Sequence, residues 1–226
     1  MEDEVDKETE DPLVPETEKV LKVGTLTVDS SPDASLELYR PLGNEQFEPG
    51  KVPFEFNIKN YRFGKENPIS MVVNSGNPVS YSQAIFSKEF NTGTYRAVAF
   101  LTDRRGLALK EYGNYVDRDF LVGNSRPIPA GDEPYIMLNL PRDGQELAKD
   151  EQLIVDFLVI GGEMEADQLE IEIEIGDFKH KTSQMETLTI EGLNEGEHVL
   201  YVHLLRKDGK SLVNIFSSVR RLVIVK

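Results

Sequence analysis

The chain spells out one unit twice. GTYRAVAFLTDRRG, from Gly93 to Gly106, returns as GEHVLYVHLLRKDG, from Gly196 to Gly209. Upstream, LELYRP (36–41) matches IMLNLP (136–141), and VPFEFNI (52–58) matches LIVDFLV (153–159), with Phe56 opposite Phe157. From Gly106 and Gly209 onward the match has no gap. It pairs Leu109 with Leu212, Tyr112 with Ile215, Val116 with Val219, Arg118 with Arg221 and Val122 with Val225. A unit repeated at domain length must fold into the same domain twice. The join is GNSRPIPAGDEP (123–134), whose prolines suit a short, stiff linker.

Within each unit, short segments alternate apolar and polar residues, and helical periodicity is nearly absent. Turn signals such as SSPDAS, FGKENP, NSGNP, DRRG, PRDG and RKDG recur at the spacing of a β-sandwich. Each copy has room for about seven strands, the count of an immunoglobulin-like sandwich. FNTGTYRAVAFLTDRRG (90–106) and LNEGEHVLYVHLLRKDG (193–209) resemble the late-strand hairpin of bacterial immunoglobulin-like and fibronectin type III modules. That resemblance implies a fold and no chemistry. The expected organisation is all-β: an acidic flexible tail over 1–22, a first sandwich over 23–124, a linker over 125–134 and a second sandwich over 135–226.

Charge narrows the function. The net charge is −15. That argues against nucleic acid, whose affinity comes from clustered Lys and Arg, and against docking on anionic lipid. The first unit is nearly neutral, while the tail (net −6) and the second unit (net −7) carry most of the excess. No cysteine occurs, so disulfides, thiolate metal sites and cysteine nucleophiles are excluded. Met1 is followed by EDEVDKETEDPLVPETE, which lacks the basic and apolar regions of a signal peptide. Two expectations follow: a chain made without a signal, or a mature form whose anchor lies upstream. The acidic stretch resembles the segment after the lipidated cysteine of surface lipoproteins in Bacteroidetes-type bacteria. That resemblance implies a tether and a cell-envelope location, periplasm or outer surface. A cytoplasmic structural protein is the alternative.

No catalytic motif appears: no G-x-S-x-G elbow, no H-E-x-x-H, no phosphate loop and no dinucleotide fingerprint. The reading is therefore non-enzymatic, without cofactor. No metal site is expected either. His198 and His203 fall on opposite faces of one strand, and His180 stands apart. The pairs Asp29 with Asp33 and Asp117 with Asp119 fall short of a calcium loop. In LEIEIEIG (169–176) the leucine and isoleucines share one face, and Glu170, Glu172 and Glu174 the other. A row of like charge discourages edge association; read functionally, it would dock a basic partner or a cation.

The repeated strand breaks the one-sided pattern of a sandwich. Val98 and Phe100 make the second face of the first copy apolar as well. Val199, Tyr201, His203 and Leu205 form the second face of the later copy. A neighbouring loop, the other domain or a protein partner must cover such a face. These six residues are the candidate partner surface. Carbohydrate binding is the alternative. Without tryptophan it would rest on Tyr61, Phe63, Tyr112 and Tyr115.

Overall fold

In a computed structural model the described residues are 20–129 and 131–226. The expected tail up to residue 19 lies outside them. Among the described residues no helix forms, and the strands assemble into four sheets. The first unit holds β2 (Ser35–Arg40), β3 (Glu45–Phe47), β4 (Gly50–Lys59), β5 (Ile69–Val73), β6 (Val79–Tyr81), β7 (Ile85–Phe90), β8 (Gly93–Phe100) and β9 (Tyr115–Val122). The second repeats this order as β10 (Tyr135–Leu140), β11 (Gln145–Leu147), β12 (Leu153–Ile160), β13 (Leu169–Ile175), β14 (Phe178–Thr182), β15 (Thr187–Glu191), β16 (Gly196–Arg206) and β17 (Ser218–Val225). Each unit therefore forms one more strand than expected, because its first strand divides. After the matched prolines, Pro41 and Pro141, both following cis peptide bonds, the chain leaves one sheet and pairs in parallel with the other.

The first unit closes β2-β4-β7 onto β3-β9-β8-β5-β6; the second closes β10-β12-β15 onto β11-β17-β16-β13-β14. These are two immunoglobulin-like sandwiches, as the repeat requires. Alternation explains each core. Leu36, Leu38, Val52, Phe54 and Phe56 meet Ala97, Ala99, Phe120 and Val122 inside the first. Ile136, Leu138, Val155 and Phe157 meet Ile171, Ile173, Val202 and Val223 inside the second.

One strand has no repeat partner. β1 (Lys22–Leu26) precedes the first sandwich yet pairs antiparallel with β15 of the second, from Lys22 opposite Glu191 to Leu26 opposite Thr187. Leu21 and Val23 pack on the second core, while Val28, a few residues on, packs on the first. The segment is thus a strap across both sandwiches. Gly24 permits it, since a Cβ there would stand 2.9 Å from the Thr189 hydroxyl. Deleting residues 1–28 is expected to cost about 2–3 kcal/mol, from strand hydrogen bonds worth roughly 1 kcal/mol each and partly buried Leu21 and Val23. Thermal unfolding should show a melting temperature lower by about 5–10 °C. Gly24→Val should reproduce most of that loss.

Candidate functional site

Where the sandwiches meet, the sequence brings together groups from both. The outer face of β8 and β5 lies against the outer face of β10 and β12. Val72, Val98, Phe100 and Ala108 of the first unit are buried against Tyr135, Met137, Leu158, Ile160 and Phe216 of the second. Val98 and Phe100 are therefore corrected as partner-surface residues. The other domain covers them, which answers why that strand is apolar on both faces.

Polar groups lock this layer. Asp156, in the otherwise apolar run LIVDFLVI, has no exposed surface. Its carboxylate accepts hydrogen bonds from the Ala108 N–H (2.8 Å) and Lys110 Nζ (2.6 Å) of the first sandwich. It also accepts from Asn139 Nδ2 (2.7 Å) and Thr187 Oγ1 (2.6 Å) of its own. Burial pushes the Lys110 ammonium below the usual lysine range, and Asp156 opposes that shift. Arg96 forms a two-pronged bond to Asp119, with both N···O distances 2.7 Å, and lies 4.1 Å from the centre of the Tyr135 ring. The Tyr135 hydroxyl donates to Asp117 Oδ2 across the junction (2.9 Å). Burial holds that phenol well above the ordinary tyrosine range.

The repeat's matched arginines divide the labour. Arg118 donates to the Leu38 carbonyl inside its own sandwich. Arg221 donates to the Pro141 carbonyl and reaches across to the Ser75 and Gly76 carbonyls of the first.

Beside this layer opens a cleft of about 1100 Å³, lined by both sandwiches. Tyr39, Tyr112 and Tyr115 line it from the first; Glu163, Met164 and Met185 line it from the second. Of the sugar candidates, Tyr112 and Tyr115 meet here. Tyr61 and Phe63 do not: they pack on the first core, and the Tyr61 hydroxyl donates to the Thr102 carbonyl (2.9 Å). Sequence reasoning missed Tyr39. Its signal is the outward position beside Glu37 in LELYRP.

The remaining candidates lie on the outer face of β16. Tyr201 is 38% exposed, and Val199, His203 and Leu205 are half-buried. The Tyr201 and His203 rings stack at 5.8 Å, and His203 Nδ1 meets the Ser218 hydroxyl at 2.7 Å. Glu170, Glu172 and Glu174 flank them on β13, as the alternation requires. Lys179 and Lys181 of β14 pair with that row, at 2.5 Å to Glu174 and 2.6 Å to Glu170. The Lys179 hydrogen bond holds the Glu174 carboxyl below its ordinary range.

No family model matches the sequence, and no curated protein matches it. Solved structures do. Fibronectin(III)-like modules of Clostridium thermocellum CbhA are 13% identical, covering 84% of this chain and 94% of theirs, with a TM-score of 0.33. By its own sheets the chain is a tandem of two immunoglobulin-like β-sandwiches. Three N-terminal domains of the bacteriophage RB49 highly immunogenic outer capsid protein are 10% identical (85% of this chain, 70% of that one, TM-score 0.25). Domains 4 and 5 of the S-layer protein SbsC are also 10% identical (87% and 99%, TM-score 0.22). At these values the likeness carries no inference about chemistry or partner.

Lys110→Met tests the lock. It leaves the Asp156 carboxylate buried without its counter-charge, which should cost about 3–5 kcal/mol. Chemical denaturation of full-length protein reads this directly. A loss under 1 kcal/mol would mean the remaining donors suffice.

Proposed function

We propose that this chain is a non-enzymatic interaction or scaffold protein of the bacterial cell envelope. Its partner docks on the outer face of β16 through Val199, Tyr201, His203 and Leu205. Internal symmetry carries the reading. In the first module Val98 stands between Val72 and Asp117, and in the second Tyr201 holds the same place between Glu174 and Arg220. The face that grips a sandwich in the first module is thus the face the second presents to solvent.

Its chemistry has shifted to suit a partner that comes and goes. Val199, Tyr201 and Leu205 keep an apolar centre, while the glutamates, lysines and Arg220 form a charged rim, the composition of a non-obligate interface. The opposite end of the stack is built otherwise. Tyr135, Met137, Leu158 and Ile160, which dock against the first module, correspond to Ser35, Glu37, Asn57 and Lys59. There Asn57, Lys59 and Tyr39 all donate to Glu37, a polar network complete in itself. The occupant of the β16 face is accordingly another β-sandwich presenting an apolar sheet face, as the second module does to the first.

A photo-crosslinking residue at position 201, expressed in the native host, should trap an envelope protein built of such sandwiches. Val199→Ser should abolish the product. A soluble cytoplasmic fraction with no crosslinked species would overturn the reading. The double variant Tyr201→Ser, Val199→Ser should cost no more than about 1–2 kcal/mol, since Tyr201 is exposed and Val199 half-buried rather than part of the core. A loss of several kcal/mol would make the face part of the fold rather than a surface for a partner.

A further inference from the structure

We propose that the cleft between the modules binds a neutral oligosaccharide chain. It shares no residue with the outer face of β16, so it stands independently of the partner reading. The first ground is its aromatic lining. Tyr112 is 95% exposed and Tyr39 is 49% exposed, unusual for rings that could have joined a core. Tyr39 is not loose: its hydroxyl donates to Glu37 Oε2 (2.9 Å) and accepts from Asn57 Nδ2 (3.1 Å). A fixed ring with an open face is a platform for the C–H face of a sugar. Tyr115 adds a third ring, its phenol raised above the ordinary range by burial, with the nearby Tyr112, Glu163 and Asp117 adding to the rise.

The second ground is charge. The lining acids are Glu37, Asp117, Glu163 and Asp167. Of the two lining cations, Lys110 is paired with Asp156, while Arg118 gives one nitrogen to the Leu38 carbonyl and keeps Nε without a partner. With four acids against two cations in the lining, an anionic ligand would meet net negative charge. Hydroxyl groups would meet acceptors. The acids are themselves partly satisfied: Asp117 by the Tyr135 hydroxyl, Asp167 by the Glu163 N–H, and Glu37 by Asn57 and Lys59. They are held as oriented acceptors, which suits a neutral polyol better than a cation.

Shape is the third ground. The volume of about 1100 Å³ exceeds the roughly 300–1,000 Å³ of a small-molecule site, which fits several sugar units. Gly162 lines the cleft and packs closely on the Pro134 ring behind it, where a Cβ would stand 2.7 Å away.

Isothermal titration of the full chain tests this, with cello-, xylo-, manno- and chitohexaose as neutral probes and an alginate hexamer and hexalysine as charged ones. At least one neutral hexasaccharide should bind, and the charged probes should not. Tyr112→Ala should weaken that binding about three- to tenfold, the worth of one aromatic contact. Its melting temperature should not change, given the exposure of the ring. The double variant Tyr39→Ala, Tyr112→Ala should weaken it further, while Tyr201→Ser should leave it intact. Failure of every neutral probe would overturn the proposal. So would binding indifferent to the double variant, or hexalysine binding in their place.

Discussion

The structure turns on one buried carboxylate. Asp156 sits where water does not reach and would be ruinous there alone. Four donors answer it, two from each module, so the charge is satisfied only when the modules are docked. Apolar contact between Phe100, Met137 and Leu158 supplies affinity without direction. The carboxylate supplies direction, because hydrogen bonds to Ala108 and Lys110 exist in one register. The cleft, lined by both modules, inherits its geometry from that register.

Duplication explains how such an interface could arise and then stop. Two copies of one sandwich offer the same pair of faces, and indefinite stacking is the hazard of any head-to-tail contact. Here the copies have diverged at the contact positions. Arg118 turned inward and Arg221 outward. Met137 and Leu158 are apolar where Glu37 and Asn57 are not. The same divergence frees β2 to place Tyr39 beside the cleft.

Much of the fold was legible in the sequence, because alternation and repetition are local signals that tertiary context reinforces. The doubly apolar strand even announced that something covers Val98 and Phe100, although periodicity cannot name the cover. Asp156 could have been read as a lone acid in LIVDFLVI. Its partners could not, since Lys110 and Ala108 lie in another module. The aromatic candidates part company for a related reason. Tyr61 and Phe63 look like Tyr112 and Tyr115 in composition, and only the packing of the first core separates them. Nor does KVGTL differ from any other short strand. Its pairing with β15 depends on an edge created far downstream.

That strap sets a timetable. β1 leaves the ribosome well before the edge it completes, because the whole first module and most of the second lie between β1 and β15. Until then its hydrogen-bonding groups must wait in solvent while the first module forms beside it. Pairings of such long range are slow to form and exposed to wrong partners meanwhile. The acidic residues just upstream, in a chain of net charge −15, would repel a second nascent copy during that interval. Once seated, the strand ties the segment ahead of the first module to the edge of the second, so a product truncated before β15 has nowhere to put it.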